Sequence, residues 1–202
     1  MSAGLLVLFG YTCGSIPFGV LLARRAAVDV RHAGSGNIGA ANVARTAGAA
    51  LGVATLVADA LKGAVPALVA QALTGDPTLA AGAGLAAFVG HVFPIALGFA
   101  GGKGVATALG VLAVLCPLGA AGAVGVFALV FALGRWVSVA SLAGAVAAPI
   151  SIAAVGCAHA ALEASIAMAV VILLRHRDNL RRLRAGAEPR FALHKNRAAP
   201  EK

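Results

Sequence analysis

From Val105 to Gly134 the chain carries no charged residue. As one helix this stretch would extend about 45 Å at 1.5 Å per residue, well beyond the ~30 Å hydrocarbon core of a bilayer. Cys116-Pro117-Leu118-Gly119 lies near its middle, and Pro with Gly punctuates helices. The stretch therefore divides into two short apolar helices. Residues 138–174 pose the same problem, with Gly156-Cys157-Ala158-His159 as the turn and a last span from about Ala160 to Leu174. Composition agrees with a lipid-embedded chain: 60% of the 202 residues are hydrophobic and 11% charged, against about 25% charged in ordinary soluble domains. So few charges cannot cover a water-facing surface, and disorder needs low hydrophobicity.

Three further spans precede these. They run from about Ala3 to Ala23, Ala47 to Leu73 and Leu79 to Phe99. The N-terminus has no charged n-region and no A-x-A site before its apolar run, so the first segment reads as a retained span rather than a cleaved signal. Arg24, Arg25, Arg31 and Arg45 place the first loop inside and the N-terminus outside. Residues 175–202 hold nine Lys/Arg against Asp178, Glu188 and Glu201, which is +6 of the net +9. That tail reads as a positive-inside stop and not as a nucleic-acid arm. Seven spans, or five, put it inside; six would put it outside. Seven is preferred because residues 138–174 make a poor single span. Cys13, Cys116 and Cys157 sit far apart in apolar sequence, and their odd number reads as packing residues without a disulfide.

In the seven-span arrangement the polar loop 29–45, Gly101–Gly104, Arg135–Ser141 and Arg175–Asn179 meet at one membrane face. Gly34-Ser35-Gly36-Asn37-Ile38-Gly39 formally matches a dinucleotide fingerprint. Membrane spans flank it instead of a βαβ unit, so that reading fails. The local physics remains: spaced glycines turn backbone N–H groups toward an anion, with Arg45, and Arg31 beside it, to add charge. Gly34, Gly36, Asn37, Gly39 and Asn42 are thus substrate-binding candidates. Gly98-Phe99-Ala100-Gly101-Gly102-Lys103-Gly104 is no Walker A loop, because Gly follows the lysine. Lys103 would still stand at a helix N-terminus, which favours phosphate. Gly101, Gly102 and Gly104 join it as binding candidates.

His176 and Asn179 are three apart and would share a face on a continuing helix. The bland reading, a charged membrane stop, holds for Arg177, Arg181 and Arg182. Asp59 and Lys62, three apart within a span, read as a structural ion pair. Glu163 also reads as structural, His91 as a helix–helix hydrogen-bond partner and Trp136 as an interface anchor. Ser138 or Ser141 could cap a helix, or Ser141 could face the site. No Cys/His cluster has metal spacing, no H-x-x-x-x-D signature occurs, and seven acids are too few for a multi-aspartate phosphotransferase site. No cofactor is implied. An anion transporter would also suit glycine loops and buried charges, but the repeated halves common in transporters are missing. A purely structural subunit would leave the polar loop without purpose.

GSIPFG (14–19), GSGNIGAANVAR (34–45), DALKGAVP (59–66), GHVFPIALGFAGGKGVAT (90–107), RWVSVASL (135–142) and RHRDNLRRLRAGAEPRF (175–191) together resemble the bacterial PlsY family, in order and over nearly the whole chain. The resemblance implies one domain over residues 1–202: an all-α protein of seven transmembrane helices in the bacterial inner membrane, with its site toward the cytoplasm. It implies transfer of a fatty acyl group from acyl phosphate to the 1-hydroxyl of glycerol 3-phosphate. Membrane lipid and an upstream acyl-phosphate-forming enzyme are the implied surroundings. By motif, the catalytic set is Ser35, Arg45, Lys103, Ser141, His176 and Asn179, with Glu188 structural. Two positions depart from the family pattern. Ala41 replaces a common Thr and Ala100 a common Lys, which predicts weaker phosphate attraction. Whether the acceptor proton leaves to the departing phosphate or to His176 stays open, as does an acyl-Ser route through Ser35 or Ser141.

Overall fold

The structure is a computed structural model that describes residues 2–192. Lys195, Arg197, Glu201 and Lys202 of the basic tail lie outside the described residues. The described chain is all helical. Helices α1 (Ala3–Gly14) and α2 (Phe18–Arg24) divide the first span. The break falls at Ser15-Ile16-Pro17, because proline supplies no N–H and pushes the residue before it out of the helical region. The Ile16 carbonyl, without a helical partner at the break, accepts from Phe18 N at 3.1 Å and from Lys62 Nζ at 2.8 Å. The polar loop then leads to α3 (Ala40–Thr46) and the long α4 (Ala49–Thr74).

Asp76 caps α5 (Pro77–Val92) by accepting from Thr78 N at 2.8 Å, with Pro77 in the first turn. Then comes a 3-10 turn (Ile95–Leu97), the glycine segment, and α6 (Val105–Leu115). Cys116 ends α6 and Pro117 starts α7 (Pro117–Gly134), where the sequence places the division. Arg135-Trp136 leads to α8 (Val137–Val155), and Gly156 closes it at φ 76°. α9 (His159–Arg175) and α10 (Arg177–Arg184) follow.

Small residues let these helices touch. A Cβ at Gly10 or Gly14 of α1 would overlap the Ala83 or Ala87 carbonyl of α5, and one at Gly110 of α6 would overlap the Ala60 carbonyl of α4. Close approach of this kind replaces the hydrophobic drive that lipid does not supply. Outward positions are large and apolar, among them Leu129, Leu133 and Ile150. Five stretches are long and apolar enough to cross a bilayer: Ala3–Arg24, α4, Pro77–Leu97, α7 and α8. α9 with α10 passes as a sixth with a 51° bend, and α6 is a shorter apolar helix.

Two expectations are corrected. His176 and Asn179 do not share one continuous helix. The His176 ring donates from Nδ1 to Ile172 O at 2.8 Å, and its backbone N–H turns to Leu173 O at 3.2 Å. Ring and main chain divide the acceptors of the last turn, and the helix bends there. Cys116 and Cys157 are also not unpaired packing residues. They form a disulfide between the α6–α7 and α8–α9 turns. Forty-one residues separate them in sequence, too far for spacing to reveal the pair. Maleimide labelling of unreduced, detergent-denatured protein is expected to modify Cys13 alone, with two further sites after reduction. Replacing both cysteines by Ser should cost on the order of 2–4 kcal/mol of stability, read as a lower thermal unfolding midpoint.

Candidate functional site

The polar loop is built before it is functional. Val30, Ile38 and Val43 bury against Val20 and Ala23 of α2 and carry the loop onto the bundle. Asn42, 2% exposed, then staples it from inside. Its Oδ1 accepts from Ser35 N at 2.9 Å. Its Nδ2 faces the carbonyls of Val30, Ala33 and Asn37 at 2.9–3.1 Å. A Cβ at Gly34 (φ 61°) would overlap that Oδ1, so the turn requires glycine there. Asn37 Oδ1 accepts from Gly39 N at 2.8 Å. The result presents Ser35, Asn37, Gly39 and Arg45 to a cavity of about 610 Å³. Arg31 does not join them. It is bidentate to Asp29 at 2.8 and 2.9 Å, which holds the Asp29 carboxyl well below the usual carboxylate range.

The glycine segment supplies the opposite wall. Gly101 N donates to Val92 O (3.2 Å) and Gly102 N to His91 O (3.1 Å). Arg175 donates to both glycine carbonyls, to Gly101 O at 2.8 Å and Gly102 O at 3.3 Å. Neither glycine lines the cavity, and with their amides engaged they are a mount rather than an anion cradle. The N–H groups at the start of α6 have no preceding carbonyl to bond. Gly104, Val105 and Ala106 line the cavity beside Lys103, which places the positive end of that helix at the wall.

Lys103 donates to Asn179 Oδ1. Asn179 Nδ2 donates to Glu188 Oε1 at 2.7 Å, and Ser138 Oγ donates to the same oxygen at 2.6 Å. Arg182 Nε reaches Oε2 at 2.8 Å. The Glu188 carbonyl accepts from Trp136 Nε1 at 3.1 Å. These hydrogen bonds keep Glu188 ionised, with its carboxyl below the ordinary value despite burial. Burial pushes the Arg45 guanidinium down and the Lys103 ammonium down to about 8.

Ser141, 4% exposed, also lines the cavity. Neither it nor Ser138 caps α8. Because the Nδ1 of His176 donates to a carbonyl, Nε2 is left as the acceptor of the neutral ring. Away from the charges the cavity turns apolar, between Leu112, Val124, Phe127, Ala145, Met168 and Ile172.

One cavity thus gathers Ser35, Asn37, Gly39, Asn42, Arg45, Lys103, Gly104, Ser141, His176 and Asn179, and leaves out Gly34, Gly36, Gly101 and Gly102. Sequence reasoning missed Arg182, which serves Glu188 rather than only stopping a span, and Arg175, which holds the glycine segment. It also missed Asp59 and His91 as cavity-wall residues. No spacing rule signals an arginine whose partner is a distant carbonyl. A carboxylate three residues from a lysine inside a span was the one available sign for Asp59.

A helical membrane fold with cations gathered at one end of an apolar cavity has known counterparts. The glycerol-3-phosphate acyltransferase family profile matches residues 4–186. The glycerol-3-phosphate acyltransferase of Geobacter sulfurreducens is 50% identical over 188 residues, covering 93% of this chain and 96% of that protein. That of Anaeromyxobacter dehalogenans is 53% identical over 190 residues, covering 91% and 94%. A crystal structure of PlsY, an integral membrane glycerol 3-phosphate acyltransferase in its glycerol 3-phosphate form, superposes with a TM-score of 0.91 at 41% identity, covering 95% of this chain and 96% of that one. Its lysophosphatidic acid form gives 0.89 at the same identity, covering 96% and 97%. The chain belongs to the glycerol-3-phosphate acyltransferase family.

The Lys103 charge is present below its ionisation near 8 and is lost as pH rises through it. A phosphate monoester is already a dianion above pH ~7, so the alkaline limb belongs to the protein. Affinity for such a ligand is expected to fall above pH ~8 in calorimetric titrations, and Lys103→Arg should flatten that limb.

Proposed function

We propose that the chain transfers a fatty acyl group from acyl phosphate to the 1-hydroxyl of glycerol 3-phosphate, giving lysophosphatidic acid and phosphate. The observation that carries this reading is the two-ended cavity: Arg45, Lys103 and the α6 N-terminus at one end, and an apolar limb at the other. Both reactants bear phosphate and one bears an alkyl chain. One superposed PlsY structure is a glycerol 3-phosphate form and the other a lysophosphatidic acid form, and these molecules are substrate and product of the proposed step.

Acyl phosphate is an activated donor, so a protein nucleophile is dispensable. The 1-hydroxyl oxygen forms the new ester bond at the acyl carbon, and the bond from that carbon to the phosphate oxygen breaks. The hydroxyl proton ends on the departing phosphate, directly or by way of the unprotonated Nε2 of His176. Arg45 and Lys103 clamp the phosphate of glycerol 3-phosphate, with Ser35 and Asn37 beside it and Asn179 orienting the ammonium. The remaining N–H groups of α6 polarise the acyl phosphate. Holding hydroxyl against carbonyl in this way can be worth ~7–11 kcal/mol of the barrier.

The reading includes one domain of seven membrane helices, α6 and the bent α9–α10 pair among them, with the N-terminus outside and the site facing the cytoplasm. In that topology the turns bearing Cys116 and Cys157 lie on the outer side, the compartment in which disulfides persist. Basic residues at Arg24, Arg25, Arg135 and along α10 lie on the inner side, as the charge rule requires.

Purified protein given acyl phosphate and glycerol 3-phosphate should release one phosphate per lysophosphatidic acid formed, with no burst; a trapped acyl-serine would replace this route by a two-step one. Acyl-CoA should not substitute for the donor. Lys103→Ala is expected to lower kcat/KM about 10- to 100-fold, from loss of a charge-assisted contact.

A further inference from the structure

Behind the glycine segment, within the spans, lies a cluster of ionisable side chains that the proposed mechanism does not use. Asp59 of α4 is 2.9 Å from Lys62 Nζ and 3.7 Å from His91 Nδ1 of α5. All three are nearly fully buried. Lys62 is anchored in turn on the Ile16 carbonyl at the α1–α2 break. Such groups are expensive inside a membrane protein, and simple packing would be served better by apolar side chains.

The other edge of the imidazole accounts for its position. A Cβ on Gly102 would overlap His91 Nε2, with Cε1 and Cδ2 of the same ring also within 3.1 Å. The ring therefore lies flush against the Gly102 α-carbon. The His91 carbonyl meanwhile accepts from Gly102 N, and Arg175 draws the two glycine carbonyls from the other side. Gly102 is clamped between histidine and arginine, one residue before Lys103. Nδ1 faces Asp59 and Nε2 faces a backbone carbon, so neither ring nitrogen is aimed at a reacting group.

The geometry points to His91, packed between the Asp59–Lys62 pair and Gly102, as a positioning residue that sets where Lys103 stands and thereby the affinity for the phosphate of glycerol 3-phosphate. This rests on the reading of Lys103 as the clamp for that phosphate. His91 acts on the lysine through steric contact with Gly102, and the contact is reciprocal. A methyl at Gly102 collides with the ring, and removing the ring vacates the space that such a methyl needs.

The test uses full-length purified His91→Ala, Gly102→Ala and the double variant, with glycerol 3-phosphate affinity measured by calorimetry and KM for each substrate measured in the transfer assay. His91→Ala should weaken glycerol 3-phosphate binding about tenfold while KM for acyl phosphate stays within about twofold. Gly102→Ala should weaken it further. The double variant should bind at least about tenfold better than Gly102→Ala alone, a coupling within the range seen for residues in contact. Losses that simply multiply in the double variant, or a His91→Ala affinity within about twofold of wild type, would overturn the assignment. If Gly102→Ala does not fold by size-exclusion and thermal melt, His91→Asn decides. It leaves a polar group beside Asp59 but lacks the far half of the ring, so weakened binding supports the steric role and wild-type affinity refutes it. Failure of the wild type to transfer acyl groups would sink the functional reading instead, while the binding data still judge His91.

Discussion

Lys103 is held at its place in the cavity by a side chain from another helix. Asn179 accepts from the ammonium through Oδ1 and donates through Nδ2 to Glu188. Glu188 in turn is gripped by Ser138, Arg182 and the Trp136 indole. This one chain of hydrogen bonds ties the start of α6, the start of α8, α10 and the segment after α10 around the cavity's polar end. Without it, three cations would face one another across a half-buried space. With it, Glu188 offsets one of them, and the remaining positive charge suits an anionic ligand.

Support for that arrangement comes from backbone defects that proline and glycine create. The α1–α2 break yields the carbonyl that anchors Lys62. The glycine segment gives up its own N–H groups to the carbonyls of residues 91 and 92 and its carbonyls to Arg175. Irregular backbone packed within a membrane protein is tolerable only when each polar group finds a partner inside the protein. Here the partners are the same residues that aim Lys103, so satisfying the backbone and building the site are one task. The apolar limb needs no such devices. Small residues on α8 leave room that Phe127 of α7 and Met168 and Ile172 of α9 border.

Much of this was legible from the sequence. Charge-free runs with Pro117 or Gly156 inside them mark helix boundaries, because proline and left-handed glycine act locally. The alternation of apolar spans predicts which polar segments share one end of the bundle, and several of them line one cavity. Residues of the first loop and Lys103 with Gly104, which the sequence reads as anion-binding candidates, line the same cavity. Less legible were pairings across long separations. Cys116 with Cys157, Trp136 and Ser138 with Glu188, and Arg175 with the glycine carbonyls each join positions whose spacing carries no period. His176 illustrates the limit at short range as well: a ring that competes for its own helix's acceptor bends the chain between it and Asn179, and helical spacing assumes no such competition.

Residue order alone is enough to put the chain in lipid as helices, to mark where those helices stop, and to name the polar residues available near their ends. Hydrophobic length, proline geometry and charge placement act on each segment alone, so no partner is needed to read them. Which of those residues face a common cavity, and which are used in building it, follows from the packing of the helices. Gly101 and Gly102 became a mount and Arg31 a partner for Asp29, Asn42 staples the loop while lining the cavity, and Gly104 and Ser141 face it. That division depends on which hydrogen-bond partner each group meets first once the helices pack, and distance in space is information that a linear order of residues does not contain.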